Sequence, residues 1–345
     1  MPTVTSREVR LKRYPTGVPT AADFEIATVE LPPPADGEVL VENLWMSVDP
    51  YMRGRMTGQN TYVPGFALGR ALEGGAVGRV VESRDPALRA GDHVVNPLGW
   101  RERFVASGRG LQVVDASLAP VQAYLGVLGM PGMSAYIGLL SCGEPKPGDT
   151  VFVSGAAGAV GSAACQIAKI KGCRVIASAG APDKVAWLEN AARVDAAFSY
   201  RDYPGAAGLV AALRERAPDG IDVYFDNVGG DHLEAAIQSM RDFGRIVLCG
   251  SISRYNDLTP PPGPPSLFMA TRKRLTLRGF IVSDHRDRHG EFLREMGAWL
   301  RDKKVVWQET VIEGLDEAPR AFAGLFTGAN TGKMLVRIAP AGAVR

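Results

Sequence analysis

A chain of 345 residues, 46% apolar and 22% charged, has the composition of a folded globular protein with one large or two ordinary domains. Its formal net charge of +2 excludes a nucleic-acid or polyanion footprint; the densest basic run, 272–274 (RKR), reads as a solvated loop face. The N-terminal MPTVTSREVRLKRYP is too polar for a signal peptide, and no apolar run reaches membrane-spanning length, so the expectation is a cytoplasmic protein with neither membrane nor nucleic acid as partner.

Residues 1 to about 125 read as β-rich. Short strands at 38–41 (EVLV), 78–81 (GRVV), 93–96 (HVVN) and 104–106 lie between Gly, Pro and Asp turns, as in a compact barrel-like domain. One segment departs from the pattern: SVDPYMRGRM, 47–56, reads as a loop carrying Tyr51, Arg53 and Arg55. About 118–140 is apolar and helical, with MPGMSAY as a break between two helices.

Strands and helices then alternate. Strands are expected at 151–153, 175–178, 196–198, 223–225, 246–248 and 275–282, with helices at 159–171, 183–190, about 208–216, 232–240 and 291–302. That alternation predicts a doubly wound parallel sheet, the Rossmann arrangement. Residues 306–338 return to short strands around one helix near 318–325. The expected organisation is therefore a β-rich domain over 1–125, a dinucleotide-binding domain over 126–305, and a return of 306–345 to the first domain. The run TPPPGPP, 259–265, reads as a stiff extended loop.

The stretch TVFVSGAAGAVGSAACQIAKIK carries the chemistry. A buried strand runs into a small-residue turn and then into a helix with apolar period through Val160, Ile167 and Ile170. Such a turn lets backbone N–H groups approach a pyrophosphate, and the helix N-terminus adds partial positive charge. Aligned on its last glycine, the turn runs Ala156, Ala157, Gly158, Ala159, Val160, Gly161, with Ala156 in place of the first glycine of GxGxxG. Gly158 is expected to allow close approach, and Gly161 to let the helix pack on the strand.

The second strand ends Ala177-Ser178-Ala179-Gly180, without the acid that bonds ribose hydroxyls in NAD enzymes. A carboxylate there would repel a 2′-phosphate, so its absence permits NADP. Ser178 is a candidate hydrogen-bond donor to that phosphate. Two readings of Lys184 stand at this point: a partner for the phosphate, or a solvated charge on an amphipathic helix. Further strand ends, at 226–230 (DNVGG), 249–255 (CGSISRY) and 279–283 (GFIVS), are candidate walls for a ligand bound beyond the sheet. The four cysteines, Cys142, Cys165, Cys173 and Cys249, read as reduced thiols, and no zinc-site spacing is present.

The segments SVDPYMRGRM, GMPGMSAYIGLL, VSGAAGAVGSAACQIAKIKGCRV, VYFDNVGG, GRIVLCGSISRYN and GANTGK occur in an order that resembles the zinc-independent branch of the medium-chain dehydrogenase/reductase superfamily, in the group of prostaglandin reductases, alkenal double-bond reductases and curcumin reductases. The zinc-dependent relatives need a Cys and a His–Glu pair; the corresponding region here, ALGRALEGGAVG, has no His, and no cysteine precedes Cys142. The resemblance implies a GroES-like first domain, NADPH as cofactor, and reduction of the C=C bond of an α,β-unsaturated aldehyde or ketone. Ala156, Ala157, Gly158, Ala159, Val160 and Gly161 would hold the pyrophosphate, and Lys184 and Tyr200 would meet the 2′-phosphate region. Asn227, Cys249, Gly250, Ser251, Ile252 and Tyr255 would line the cofactor with Phe280, Ile281, Val282 and Asn330.

Tyr255 and Tyr51 would face the substrate. Hydride to the β-carbon leaves negative charge on the carbonyl oxygen, for which Tyr255 and the cofactor ribose hydroxyl are the expected donors, with Tyr51 positioning the carbonyl. The segment 56–65 and the loop 259–265 are expected at the border of the substrate pocket. Two other readings are a quinone reductase and a non-catalytic NADPH-binding protein. The resemblance also suggests a homodimer.

Overall fold

The computed structural model describes residues 4–259 and 262–339. Residues 260 and 261 of the expected proline loop thus lie outside the described residues. The chain divides into two compact units. The first contains the described residues up to Leu125, Glu309–Asn330 and those from Met334 on; the second contains Gly126–Gln308 and Thr331–Lys333.

In the first unit, a seven-stranded sheet is ordered Glu309–Glu313, Lys333–Arg337, Glu38–Ser47, Ala76–Ser83, His93–Asn96, Gln112–Val113, with Arg103–Ser107 also pairing with Glu38–Ser47. Val4–Leu11 and Phe24–Leu31 form a separate antiparallel pair. The core of this unit gathers Val9, Met46, Met52, Trp100 and Phe322, with Trp100 stacked on Phe24 at 6.1 Å and meeting Phe322 edge-on. SVDPYMRGRM is not all loop: the long strand extends to Ser47, and Met52–Arg55 form one helical turn with Arg53 and Arg55 buried. Both guanidiniums bond surrounding backbone carbonyls, and Arg55 also bonds a carboxylate. Arg53 donates to the carbonyls of Pro15 and Gly17, while Arg55 donates to Pro64 and pairs with Glu73 at 2.8 Å.

The second unit is built on a six-stranded parallel sheet. In chain order its elements are β1 (Thr150–Val153), α1 (Ala159–Ile170), β2 (Arg174–Ala179), α2 (Pro182–Asn190), β3 (Ala196–Ser199), α3 (Gly205–Arg216), β4 (Ile221–Asp226), α4 (Gly230–Ser239), β5 (Met240–Leu248), β6 (Thr276–Gly279) and α5 (His289–Arg301). The strand order is β3-β2-β1-β4-β5-β6, so the sheet reverses direction between β1 and β4. Ligands in such sheets bind at that reversal, beyond the carboxyl ends of the strands. Phe152 stacks on Tyr224 at 5.0 Å and on Phe198 at 6.3 Å, forming an aromatic row across β4, β1 and β3.

Three expectations are corrected here. MPGMSAY is not a break between helices: Met130–Ile137 is itself the α-helix, with Pro131 in its first turn, where the missing N–H costs nothing. It continues into a π-helical turn, Gly138–Gly143. The last strand stops at Gly279 rather than at 282, because its partner β5 ends at Leu248, paired with Gly279, and offers no further ladder. The run 272–274 is solvated at Arg272 and Arg274 but is not a loop: it ends the short helix Met269–Lys273, and Lys273 turns inward. Lys273 Nζ caps α4 by donating to the carbonyls of Gln238 (2.8 Å) and Met240 (2.7 Å), and Arg274 pairs with Asp242 at 2.6 Å.

Candidate functional site

The turn between β1 and α1 is shaped by two glycines. Gly155 takes the left-handed φ of +57° that the tight turn requires, so the glycine read as replaced at Ala156 lies one residue earlier. Gly161 lets α1 press on that turn: a Cβ there would lie 2.4 Å from the Gly155 carbonyl oxygen and 2.7 Å from Ala156 Cα. At Gly158, the N-cap, a Cβ would meet only Gly155 O, at 3.3 Å, within 4 Å. One face of the turn is therefore open, and a side chain at Gly158 would fill space that a phosphate needs. Ala156 and Ala157 are buried, and the Ala156 N–H is fixed by donation to the Ser178 carbonyl at 3.0 Å.

That bond ties the turn to the tip of β2. Ser178 is fully buried, with no partner for Oγ, so among the described residues its engaged group is the carbonyl, not the hydroxyl. Beyond it, Gly180 makes room for a tyrosine: a Cβ there would sit 3.0 Å from Tyr200 Oη. The other side of the Tyr200 ring meets the His232 imidazole edge-on at 5.2 Å. His232 is buried, and burial pushes its pKa down to about 4, so it packs as a neutral ring. Lys184 is half-buried; burial lowers its pKa and the nearby Arg201 lowers it further, against an opposing pull from Asp183. The tip of β2 thus gathers two cations and a phenol with no carboxylate on the strand end, a donor set that fits a 2′-phosphate.

The tips of β4 and β5 are organised by one buried carboxylate. Asp226 Oδ1 accepts from Tyr224 Oη at 2.6 Å, Ser154 Oγ at 3.2 Å, and the N–H groups of Val228 (3.0 Å) and Gly229 (2.8 Å). Burial raises its pKa, while these donors oppose the rise. Its own carbonyl accepts from Cys249 N–H and Gly250 N–H, both at 3.0 Å, which locks the β5 tip to the β4 tip. Asn227 is held from β1: its N–H donates to Ser154 Oγ at 3.1 Å and its amide to the Ser154 carbonyl at 2.8 Å. The Asn227 carbonyl then accepts from Ile252 N–H at 3.2 Å.

On this platform the 249–255 segment folds back on itself. Tyr255 Oη accepts the Ser251 N–H at 3.2 Å, and a Cβ on Gly250 would lie 3.2 Å from the same oxygen. Among the described residues the Tyr255 hydroxyl proton has no acceptor. Burial raises the pKa of this phenol, with the Ser251 bond opposing, so it is protonated at neutral pH. The Cys249 thiol beside it is pushed up to about 12 by burial and is likewise neutral.

Phe280, Ile281 and Val282 follow β6 and are all half-buried. Phe280 is seated on the π-helical turn: a Cβ on Gly138 would lie 2.8 Å from Phe280 Cζ. The second unit thus brings together the glycine-rich turn, Ser178, Lys184, Tyr200, Asn227, Tyr255 and the 249–252 and 280–282 segments. Tyr51 and Asn330 belong to the first unit. Tyr51 precedes the Met52–Arg55 turn, packs against the Trp100 core, and has its pKa raised by burial.

Sequence reasoning missed Ser154, Gly155, Arg201, His232 and Gly138, and placed Asp226 only within the candidate wall 226–230. Only Gly155 carried a usable signal, as a second glycine in the turn. The others act through contacts between elements distant in sequence.

Comparison with known proteins follows the same division. Residues 7–114 match the family model described as the N-terminal domain of oxidoreductase, and residues 159–298 match that described as zinc-binding dehydrogenase. The chain is 42% identical to the 2-alkenal reductase (NADP(+)-dependent) of Nicotiana tabacum, over 97% of this chain and 98% of that protein. It is 43% identical to prostaglandin reductase 1 of Bos taurus, over 97% and 99%. The crystal structure of CurA in complex with NADPH from Vibrio vulnificus superposes with a TM-score of 0.90 at 37% identity, covering 97% of this chain and all of that one (100%). Among the described residues, no group of three or more His, Cys, Asp and Glu is placed to hold a metal, and no helix is long and apolar enough to cross a membrane.

Proposed function

We infer the activity from one premise: the chain belongs to the medium-chain dehydrogenase/reductase family, in its zinc-independent group of prostaglandin, alkenal double-bond and curcumin reductases. It is an NADP-dependent oxidoreductase. On this reading it reduces the C=C bond of an α,β-unsaturated ketone or aldehyde.

NADPH, when bound, supplies the hydride that adds to the β-carbon. The chain's own residues do the rest. Ala157, Gly158 and the start of α1 hold the pyrophosphate, and Lys184, Tyr200 and Arg201 hold the 2′-phosphate. Asn227, the 249–252 segment, Phe280, Ile281, Val282 and Asn330 enclose the nicotinamide end. As the β-carbon gains hydride, the C=C π electrons move toward the carbonyl, and Tyr255 donates a hydrogen bond to the enolate oxygen. Tyr51 orients the carbonyl. A proton then adds to the α-carbon, giving the saturated carbonyl compound.

The observation that carries this reading is the Tyr255 hydroxyl. It is neutral, it is fixed by the Ser251 N–H it accepts, and among the described residues its proton has no acceptor. The test follows NADPH oxidation with an enone, with a quinone and with no acceptor, and identifies the product. A saturated ketone supports the reading. Hydroquinone as the sole product, or tight NADPH binding without turnover of any acceptor, overturns it.

A further inference from the structure

The glycine-rich turn is held in shape from a distant part of the chain. Gly332, in the GANTGK segment, donates its N–H to the Ala157 carbonyl at 2.7 Å, and a parallel bridge pairs it with Gly158. Its other side faces Gln308, whose carbonyl accepts the Lys333 N–H at 2.8 Å. Gly332 has φ +68°, and a Cβ on it would lie 1.8 Å from Gln308 O and 2.4 Å from Gln308 C. Both features require glycine: the backbone conformation disfavours any side chain, and the space is already filled by backbone.

The Gln308 segment is itself fastened to α1. Gln166, buried in that helix, donates Nε2 to the Val306 carbonyl at 2.8 Å and accepts the Val306 N–H on Oε1 at 2.8 Å. The connections form a closed loop. It runs from the middle of α1 through Gln166 to Val306, along the chain to Gln308, across to Lys333 and Gly332, and back to Ala157 and Gly158 at the start of α1. The cavity beside Gln308 and Lys333 measures about 10 Å³, roughly the smallest that takes one water.

We propose that Gly332 is a positioning residue for the dinucleotide: its strap fixes the peptide planes of Ala157 and Gly158 in the shape that receives the pyrophosphate. The proposal rests on the cofactor reading above. It predicts that binding energy at the pyrophosphate depends on a segment more than 170 residues away in sequence from the turn it supports.

The test measures the Kd of NADPH and of adenosine 2′-monophosphate, which carries the 2′-phosphate but no pyrophosphate, for wild type and Gly332→Ala. A methyl at 1.8 Å from a carbonyl oxygen must displace the strap by more than about 1 Å, and an error of that size at a positioned group costs one to two orders of magnitude. The expected result is NADPH binding weakened about tenfold or more, with adenosine 2′-monophosphate binding unchanged. Equal weakening of both ligands marks general loosening and overturns the proposal, as does an unchanged Kd for NADPH. Wild type failing to bind NADPH overturns the cofactor reading and this inference with it.

Should Gly332→Ala not fold, two measurements decide. Gln166→Ala loosens the strap at its far end and is expected to weaken NADPH, but not adenosine 2′-monophosphate. In wild type, hydrogen exchange of the 331–333 amides is expected to slow on NADPH addition together with that of 156–163. Exchange at 331–333 indifferent to NADPH overturns the proposal.

Discussion

Replacing Gly138 by alanine tests whether the wall beyond β6 is set from the π-helical turn. The new Cβ would lie 2.8 Å from Phe280 Cζ, 2.9 Å from Phe280 Cε1 and 2.8 Å from Phe225 Cε2. Ordinary carbon–carbon contact is about 3.5–4.0 Å, so both contacts must open by roughly 0.7 Å or more. Phe225 is fully buried in β4 and hemmed in by the sheet, so the methyl shifts away from it and toward Phe280, which is half-buried and outside any strand and takes most of the displacement. Overpacking of this kind costs about 1–3 kcal/mol of stability, which a folded domain survives. Its effect on the reaction is larger, because misplacing a positioned group by about 1 Å lowers the rate by as much as 10²-fold. Steady-state turnover at saturating NADPH with an enone should therefore fall about 10- to 100-fold, with native circular dichroism. Adding Phe280→Leu shortens the ring that clashes and should restore much of the loss. Wild-type turnover in Gly138→Ala, or no rescue by the second substitution, refutes the placement of Phe280 as a wall of the reaction site.

Tyr255→Phe should lower kcat for an enone by about 10²–10³-fold while leaving NADPH affinity intact, the signature of a donor used as charge develops; unchanged turnover removes Tyr255 from the reaction. Lys184→Ala should raise the KM for NADPH about 10- to 100-fold, the loss of one charge-assisted contact, and leave that for NADH unchanged; equal effects on both cofactors would place Lys184 away from the 2′-phosphate. Glu291 is held at a pKa of about 2, first by its hydrogen bonds from Arg288 and then by that from Tyr136. A depressed carboxylate adds stability above its ordinary pKa and loses it as pH falls toward the folded value, so wild type should exceed Glu291→Gln in stability at neutral pH and converge with it between about pH 4.5 and 2. Acid titrations of the two proteins that run parallel through that window would count against the Arg288–Glu291 pair.

The doubly wound sheet was legible because its evidence is local. A short strand such as TVFV is apolar on both faces over Val151, Phe152 and Val153, as a parallel strand covered by helices must be, and the helices between the strands keep a 3.6-residue period. Where the reading failed, the deciding partner was distant. The length of the last strand depends on where β5 ends, which nothing in LTLRGFIV reveals. Lys273 looks like part of a basic surface run until the carbonyl end of α4 is seen beneath it. Pro131 reads as a breaker because a proline inside an apolar run has two meanings, and only the helix start distinguishes them.

The same division runs through the candidate site. Candidates for ligand contact could be proposed from sequence, because small residues and phenols at strand tips belong to short contiguous motifs. The residues that give those tips their shape could not. Asp226 is one residue from the motif's Asn227, yet its task is to gather donors from β1 and its own turn and to hold the backbone of β5. Removing its carboxylate would strand two backbone N–H groups and the Ser154 hydroxyl, each costing about 1–3 kcal/mol when left unpaired, while Tyr224 Oη keeps Ser154 Oγ as an acceptor at 2.9 Å. The segment that carries Tyr255 is anchored by backbone: Gly250 N–H on the Asp226 carbonyl and Ile252 N–H on the Asn227 carbonyl. The shape of these strand tips therefore rests on buried contacts made by residues other than the proposed ligand-facing ones. A substitution at Asp226 should consequently disturb cofactor and substrate together, whereas one at Tyr255 should separate them.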